Sequence, residues 1–317
     1  MKVIPIHHPH DPLQLLTEEV VMVLGFFDGI HKGHQKVIQT GREIAKKRGL
    51  KLAVMTFNQH PAIIFQRKMP TEVTYLTNLE EKEKRMADLG VDILYIVDFT
   101  EEFSKLSPQK FVDEYIVDFH TKVAVAGFDY TYGHGTKEET SVEILPKYAK
   151  NRFEIVIVDE ELLENEKISS TKIRLLMQKG DMLGVAKRLG HFYTTTGIVV
   201  HGDARGRLLG FPTANVQVDS SVYLPKNGVY AVRMKVGDIW YLGMGSIGHN
   251  DTFGSNRKLT VEINIFHFNQ MIYDEKVIVE WHDYLRNQIQ FENIDALVQQ
   301  LNQDKNDTLH YFLKNDN

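Results

Sequence analysis

The chain changes rhythm once, near residue 182, and that change constrains its fold more than any other feature. Before it, short β-rich apolar runs alternate with longer stretches of helical spacing. The runs are "VVMVLGF" (20–26), "LAVMTF" (52–57), "DILYIV" (92–97), "KVAVAG" (122–127) and "FEIVIV" (153–158); the helical spacings include Ile38/Ile44/Ala45 and Leu79/Met86/Leu89. Strands that are apolar at nearly every position, with helices between them, predict a parallel sheet covered on both faces. After it, "YTTTGIVVHG", "GVYAVRMKVG", "DIWYLGMGSIG", "KLTVEINIFHF" and "KVIVEWHDY" follow one another across glycine and polar turns. That pattern predicts an antiparallel barrel or sandwich. Ile294, Leu297, Val298 and Leu301 are spaced for one closing amphipathic helix. The expected domains are residues 1–182 and 183–317, with "MQKGDMLGVAKRLG" (177–190) as the connecting segment.

Composition narrows the partners. The 317 residues carry 37 basic and 42 acidic side chains, a net charge of −5 with no long run of like charge, so no nucleic-acid or membrane attraction is expected. There is no cysteine, which excludes disulfides and zinc–thiolate sites and fits a reducing compartment. The first residues, "MKVIPIHHPHDP", contain no apolar core of signal-peptide length, and the apolar run Val20 to Phe27 is too short to span a bilayer. A cytoplasmic protein is the expectation.

The segment "GFFDGIHKGH" (25–34) ends the first strong strand, and in a parallel sheet ligands bind beyond the carboxyl ends of the strands. Gly25, Gly29 and Gly33 read as a tight loop, followed by a helix from about Gln35 to Lys47. A helix N-terminus attracts anions, and glycines let the backbone approach them closely. Two imidazoles, His31 and His34, at that point suit attack at an α-phosphate with pyrophosphate leaving. No Walker lysine is present, so this is not a P-loop. Two other readings stay open for the histidines: metal ligands, or turn and cap residues. "ISSTKIR" (168–174) opens another helix with hydroxyls at its N-cap and Arg174 as a charged fork.

In the second half, "GRLLGFPTANV" (206–216) is a glycine-bordered loop that offers Thr213 and Asn215, two neutral oxygens on one side of an extended segment. They suit a shared hard cation such as Mg²⁺, or are simply turn residues. In "KLTVEINIF", Leu259, Val261, Ile263 and Ile265 form one face and Thr260, Glu262 and Asn264 the other. Glu262 is then either a solvated charge or a base facing a cleft.

These segments carry a resemblance. "GFFDGIHKGH" matches the HxGH signature of nucleotidylyltransferases, and "TFNQHP" (56–61), "LTNLEEKEKRM" (76–86), "VAGFDYTYGHG" (125–135) and "ISSTKIR" resemble, in order, the marker segments of bacterial FAD synthetases. "GRLLGFPTAN", "PKNGVYAV", "VEINIFHF" and "YLRNQIQF" resemble the riboflavin kinase domain. The chain is therefore similar throughout to bifunctional riboflavin kinase/FAD synthetases. The resemblance implies a Rossmann-like nucleotidylyltransferase domain followed by a six-stranded β-barrel with a terminal helix. It implies phosphorylation of riboflavin to FMN and ADP, then adenylylation of FMN to FAD and pyrophosphate, with ATP as co-substrate and Mg²⁺ as cofactor. It places ATP against Gly25, Phe27, Asp28, Gly29, His31, Gly33, His34, Ser169, Ser170, Thr171 and Arg174 in the first domain. In the second it places ATP against Gly206, Gly210, Thr213 and Asn215, with metal at Thr213 and Asn215 and Glu262 as base. Flavin contacts are implied at His60, Asp129 and Arg286.

Three departures from the family pattern stand out. Asn58-Gln59 replaces the common Asp-Pro, Ser246 a common asparagine, and Asn287-Gln288 a site that is often acidic. The last two bear on flavin affinity. They motivate one alternative, a monofunctional adenylyltransferase whose barrel only binds flavin; a second, a non-catalytic flavin-binding regulator that has kept the fold, is opposed by the presence of Glu262, His31 and His34.

Overall fold

A computed structural model describes residues 1–202, 205–249 and 259–315. It divides into two compact units, Met1–Ser170 and Thr171–Asn317.

The first unit is built on six parallel strands: β1 (Lys2–Ile6), β2 (Val20–Leu24), β3 (Lys51–Phe57), β4 (Ile93–Val97), β5 (Thr121–Gly127) and β6 (Glu154–Val158). Their order across the sheet is β1-β4-β3-β2-β5-β6. All five residues of β2 are buried because both faces of the sheet are covered. Val20, Met22 and Leu24 enter one apolar cluster with Met55, Tyr95 and Phe111; Val21 and Val23 enter another with Ile38, Ala45 and Met86. Each such buried aliphatic contributes about 1.5–3 kcal/mol relative to exposure. The second cluster is closed by helices α1 (Lys32–Arg48) and α2 (Leu79–Asp88).

The chain runs outward from β2 through β3 to β4, then returns to lay β5 on the opposite side of β2. The loops that follow β2 and β5 therefore part company at the carboxyl edge, the place where open α/β sheets bind ligands. Two sequence expectations shift. β1 is a sixth strand, and α1 starts three residues earlier than expected, because His31 itself is its N-cap.

In the second unit, "MQKGDMLGVAKRLG" is largely helical rather than a bare connector. It contains the end of α3 (Ser170–Lys179) and all of α4 (Met182–Leu189), and α4 packs on the barrel. The barrel is closed by β7 (Tyr193–Val200), β8 (Ala214–Val218), β9 (Gly228–Val236), β10 (Ile239–His249), β11 (Leu259–Ile265) and β12 (Lys276–Arg286) in the cyclic order β8-β11-β10-β9-β12-β7. β8 is the strand hidden inside the Pro-Thr-Ala-Asn stretch. Lys258, the first residue of the "KLTVEINIFHF" run, lies outside the described residues. Inside the barrel Trp281 is fully buried and its indole N–H donates to Thr195 Oγ1 at 3.0 Å. Helix α5 (Ile294–Asn315) sets Tyr311 and Phe312 against Ala231, Leu242 and Leu285.

Candidate active sites

The loop between β2 and α1 is held in an unfavourable backbone shape. Phe27, Gly29 and Ile30 have φ of 57°, 84° and 41°. Glycine accepts such values; for Phe27 and the β-branched Ile30 they cost on the order of 1–3 kcal/mol each. What holds them is a row of donors from outside the loop. The Phe26 carbonyl accepts from Thr56 Oγ1 at 2.9 Å and from Lys82 Nζ at 2.8 Å. The Asp28 carbonyl accepts from Ser170 Oγ at 2.8 Å, and the Ile30 carbonyl from Gln35 Nε2 at 2.8 Å. Asp28 is buried, and its Oδ1 accepts from the Leu76 and Thr77 N–H groups at 2.9 and 3.2 Å. A trans peptide directs its N–H opposite to its carbonyl. Anchoring carbonyls 26, 28 and 30 therefore turns the amides of Phe27, Gly29 and His31 away from those donors.

The histidines stack over that loop with ring centroids 3.6 Å apart. His31 Nδ1 accepts from the His34 N–H at 3.3 Å and so caps α1. That bond puts the proton of neutral His31 on Nε2, leaving a donor available for a ligand. The cap reading and the phosphate reading of His31 are thus compatible. Burial lowers the His31 pKa to about 4, with the Asp129 carboxylate opposing. Burial, then the neighbouring His31, holds His34 well below the usual range. Both rings are neutral near pH 7, so each has one N–H to offer rather than a positive charge. His34 Nδ1 is buried and, among the described residues, has no hydrogen-bond partner.

The other predicted residues of this unit surround the loop. Gly25 donates its N–H to the Met55 carbonyl at 3.2 Å, and Gly33 lies in the first turn of α1. Asp129, beyond β5, pairs with Lys167 at 2.6 Å, and that ammonium also sits 4.4 Å from the centre of the Phe128 ring. His60 sets its ring edge-on to Phe26, accepts from the Ala62 N–H at 3.0 Å and donates its own N–H to the Tyr75 hydroxyl. Asn58 and Gln59 do structural work: Asn58 Nδ2 donates to Asp98 at 2.7 Å and Gln59 Nε2 to the Phe99 carbonyl at 2.8 Å, joining the ends of β3 and β4. Ser169 and Ser170 close the first unit. Thr171 and Arg174 belong to the second, where the Arg174 guanidinium lies 5.4 Å from the Tyr223 ring centre. Sequence reasoning missed Thr56, Lys82, Gln35 and Lys167. Lys82 alone gave a signal, as a charge at the i+3 and i−4 positions to Leu79 and Met86.

In the barrel, Glu262 of β11 is half-buried and its register partners are Asn215 on β8 and Ser246 on β10. Directly paired residues share a face of the sheet. Thr213 reaches the same carboxylate, its Oγ1 donating to Glu262 Oε2 at 3.4 Å. A carboxylate, a neutral amide and a hydroxyl are thus gathered at one point. Asn264, two residues on, donates to the Pro212 carbonyl at 2.7 Å and fixes the loop that carries Thr213. A Cβ on Gly202 would lie 2.1 Å from Asn215 Nδ2, so the chain passes against that amide where only glycine fits. Gly206 is held by the Leu209 and Phe211 N–H groups, and Gly210 takes a left-handed φ of 79°. Beside Thr213 a cavity of about 340 Å³ is lined by Arg207, Pro212, Ile263, Phe268 and Tyr273. Gln288 Nε2 donates to Ser246 Oγ at 2.8 Å, so two of the departures satisfy each other. Arg286 is clamped in a bidentate pair with buried Asp304 of α5, at 2.7 and 2.6 Å.

The donor set at Thr213, Asn215 and Glu262 is all oxygen, which fits a hard cation. Among the described residues no cluster of three His, Cys, Asp or Glu side chains could hold a metal alone. Mg²⁺ keeps waters and takes further ligands from substrate phosphates, so a few protein oxygens are enough for it.

Comparison with known proteins matches each half separately. Residues 13–172 fit the FAD synthetase family model and residues 189–312 the riboflavin kinase model. Bifunctional riboflavin kinase/FMN adenylyltransferases of Listeria monocytogenes and Bacillus subtilis are 46% and 41% identical, covering 99% and 98% of both chains in each pair. A crystal structure of a Streptococcus pneumoniae protein named as a macrolide-efflux protein superposes with a TM-score of 0.89 at 38% identity, covering 97% of this chain and 99% of that one. That name denotes transport; among the described residues here no helix is long and apolar enough to cross a membrane.

Proposed function

The chain belongs to the bifunctional riboflavin kinase/FMN adenylyltransferase family, and from that premise we propose how its two units divide the chemistry. The enzyme phosphorylates riboflavin with ATP and adenylylates the resulting FMN to FAD. The proposed division assigns adenylyl transfer to residues 1–182 and phosphorylation to residues 183–317. The cysteine-free composition supports the cytoplasm as its compartment.

In the barrel, Glu262 takes the proton of the riboflavin 5′-hydroxyl as that oxygen attacks the γ-phosphorus of ATP, and ADP leaves. Thr213 and Asn215 would hold Mg²⁺, which when bound neutralises charge on the transferring phosphoryl group. The Thr213 bond fixes the carboxylate's direction. Arg286 acts on the flavin side by anchoring the end of β12 to Asp304. In the first unit, a phosphate oxygen of FMN attacks the α-phosphorus of ATP and pyrophosphate leaves. The outward amides of the 25–31 loop and the imidazole N–H groups of His31 and His34 stabilise the charge that develops. His60 and Asp129 border the flavin side. No protein nucleophile is needed, because positioning and electrostatics suffice.

The observation that carries this reading is the meeting of Thr213, Asn215 and Glu262 across two strands. The test is chromatography of products from riboflavin, ATP and Mg²⁺. Glu262→Gln is expected to stop FMN formation and leave conversion of supplied FMN to FAD; His34→Ala is expected to do the reverse. Loss of both activities in either folded variant overturns the division. Wild-type protein that makes FAD from FMN but no FMN from riboflavin would leave the barrel a flavin binder only.

A further inference from the structure

Lys82 lies on the inner face of α2 and is 3% exposed. Its ammonium donates to the Phe26 carbonyl at 2.8 Å, lies 3.4 Å from Thr56 Oγ1 and sits 4.4 Å from the Phe26 ring centre. Among the described residues it makes no ion pair; the Asp28 carboxylate attracts it from farther off. Burying an unpaired ammonium costs several kcal/mol, and a methionine would fill the same space without that cost. Packing alone therefore does not account for a charge here. Its position does. The carbonyl it holds belongs to the peptide whose N–H is that of Phe27, and Phe27 and Ile30 are the two non-glycine residues of this loop with a left-handed φ.

We propose that Lys82 is a positioning residue for adenylyl transfer: it pins the Phe26 carbonyl inward, so that the Phe27 amide is aimed at the nucleotide's phosphates and a fixed positive potential stands behind the loop. This rests on the reading of residues 25–34 as the nucleotide site. Thr56 assists at the same carbonyl but is neutral, so it can share the pinning and not the potential. The groups facing Lys82 are Asp28 from the loop, Thr56 from β3 and His34 from α1. Burial lowers the Lys82 pKa to about 8. His34 stays neutral well below that range, so the ammonium is the group among these that loses charge just above neutrality.

The experiment uses the full-length enzyme, with FMN and ATP as substrates and riboflavin phosphorylation by the same molecule as the internal control. Lys82→Met is expected to lower kcat/KM for ATP in FAD formation about 100-fold, the scale of losing one preorganised donor. Riboflavin phosphorylation should change less than twofold. Wild-type kcat/KM should fall as pH rises through about 8, since that ratio reports the free enzyme's groups. Lys82→Met should lose this basic limb. Lys82→Arg, which keeps its charge throughout, should recover part of the rate and also lack the limb. A Lys82→Met rate equal to wild type, or a reduced rate that keeps the basic limb, overturns the proposal. His34→Ala measured alongside separates the two readings: His34→Ala inactive with Lys82→Met fully active removes this inference alone, while full activity in both removes the nucleotide site as well.

Discussion

Replacing His31 by asparagine tests whether burial, rather than function, sets its titration. The ring is 5% exposed and its pKa is lowered from 6.5 to about 4. Asparagine can still accept the His34 N–H as an N-cap, so the helix start survives while the titrating group goes. Above pH 6.5 neither the folded nor the unfolded chain protonates His31, and its full contribution to stability is present. As pH falls from 6.5 toward 4 the unfolded chain takes up a proton that the folded chain refuses, and stability is lost. The whole gap is worth about 3 kcal/mol, of which about 2 kcal/mol is lost between pH 7 and pH 5. Both tryptophans, Trp240 and Trp281, lie in the second unit, so fluorescence follows the barrel while far-UV circular dichroism follows both units. Urea titrations read both ways therefore isolate the first unit. With a slope of about 2 kcal/mol/M, its midpoint should drop about 1 M further in wild type than in His31→Asn between pH 7 and pH 5. His34 titrates in both proteins and largely cancels. Equal losses in the two proteins would refute the burial argument.

Two further outcomes follow from the barrel. Gly202→Ala is expected to displace the Asn215 amide and slow riboflavin phosphorylation by about 10-fold or more, while FMN adenylylation, assayed in the same sample, stays unchanged. Asp304→Ala leaves Arg286 without its bidentate partner, and breaking a buried pair on one side costs about 3–5 kcal/mol. The fluorescence-detected urea midpoint should fall accordingly, and a change below about 1 kcal/mol would contradict the buried-pair account.

Much of this architecture was legible because it rests on periodicity. β2 is apolar at five consecutive positions, and β11 alternates so cleanly that Glu262 and Val261 face opposite ways. What escaped was structure specified by distant partners. β1, "KVIPI", is short, contains a proline and precedes three histidines in four residues, so nothing local marks it; its partner β4 lies about ninety residues along the chain. β8 was masked by the turn chemistry of Pro212-Thr213. The Gly180-Asp181 pair reads as a break, yet Asp181 accepts from the Gly184 N–H and starts another helix. At the first site the sequence marks the loop and its histidines. The donors that shape the loop come from β3, α2, α3 and α1, and no spacing rule connects Phe26 with Thr56 or Lys82, or Asp28 with Ser170. The coupling of Ser246 with Gln288 was likewise out of reach, since it depends on where the chain passes after β12.

A ring of strands has no free end to slide along. In this barrel, Asn215, Glu262 and Ser246 are consecutive stations on one circumference. Displacing any of them by a residue along its strand would break the hydrogen-bond ladders on both sides of that strand. The alignment of the Glu262 carboxylate with its neighbours is therefore a property of closure itself, shared among six segments. Repacking the interior can loosen such a site, but it cannot put it out of step.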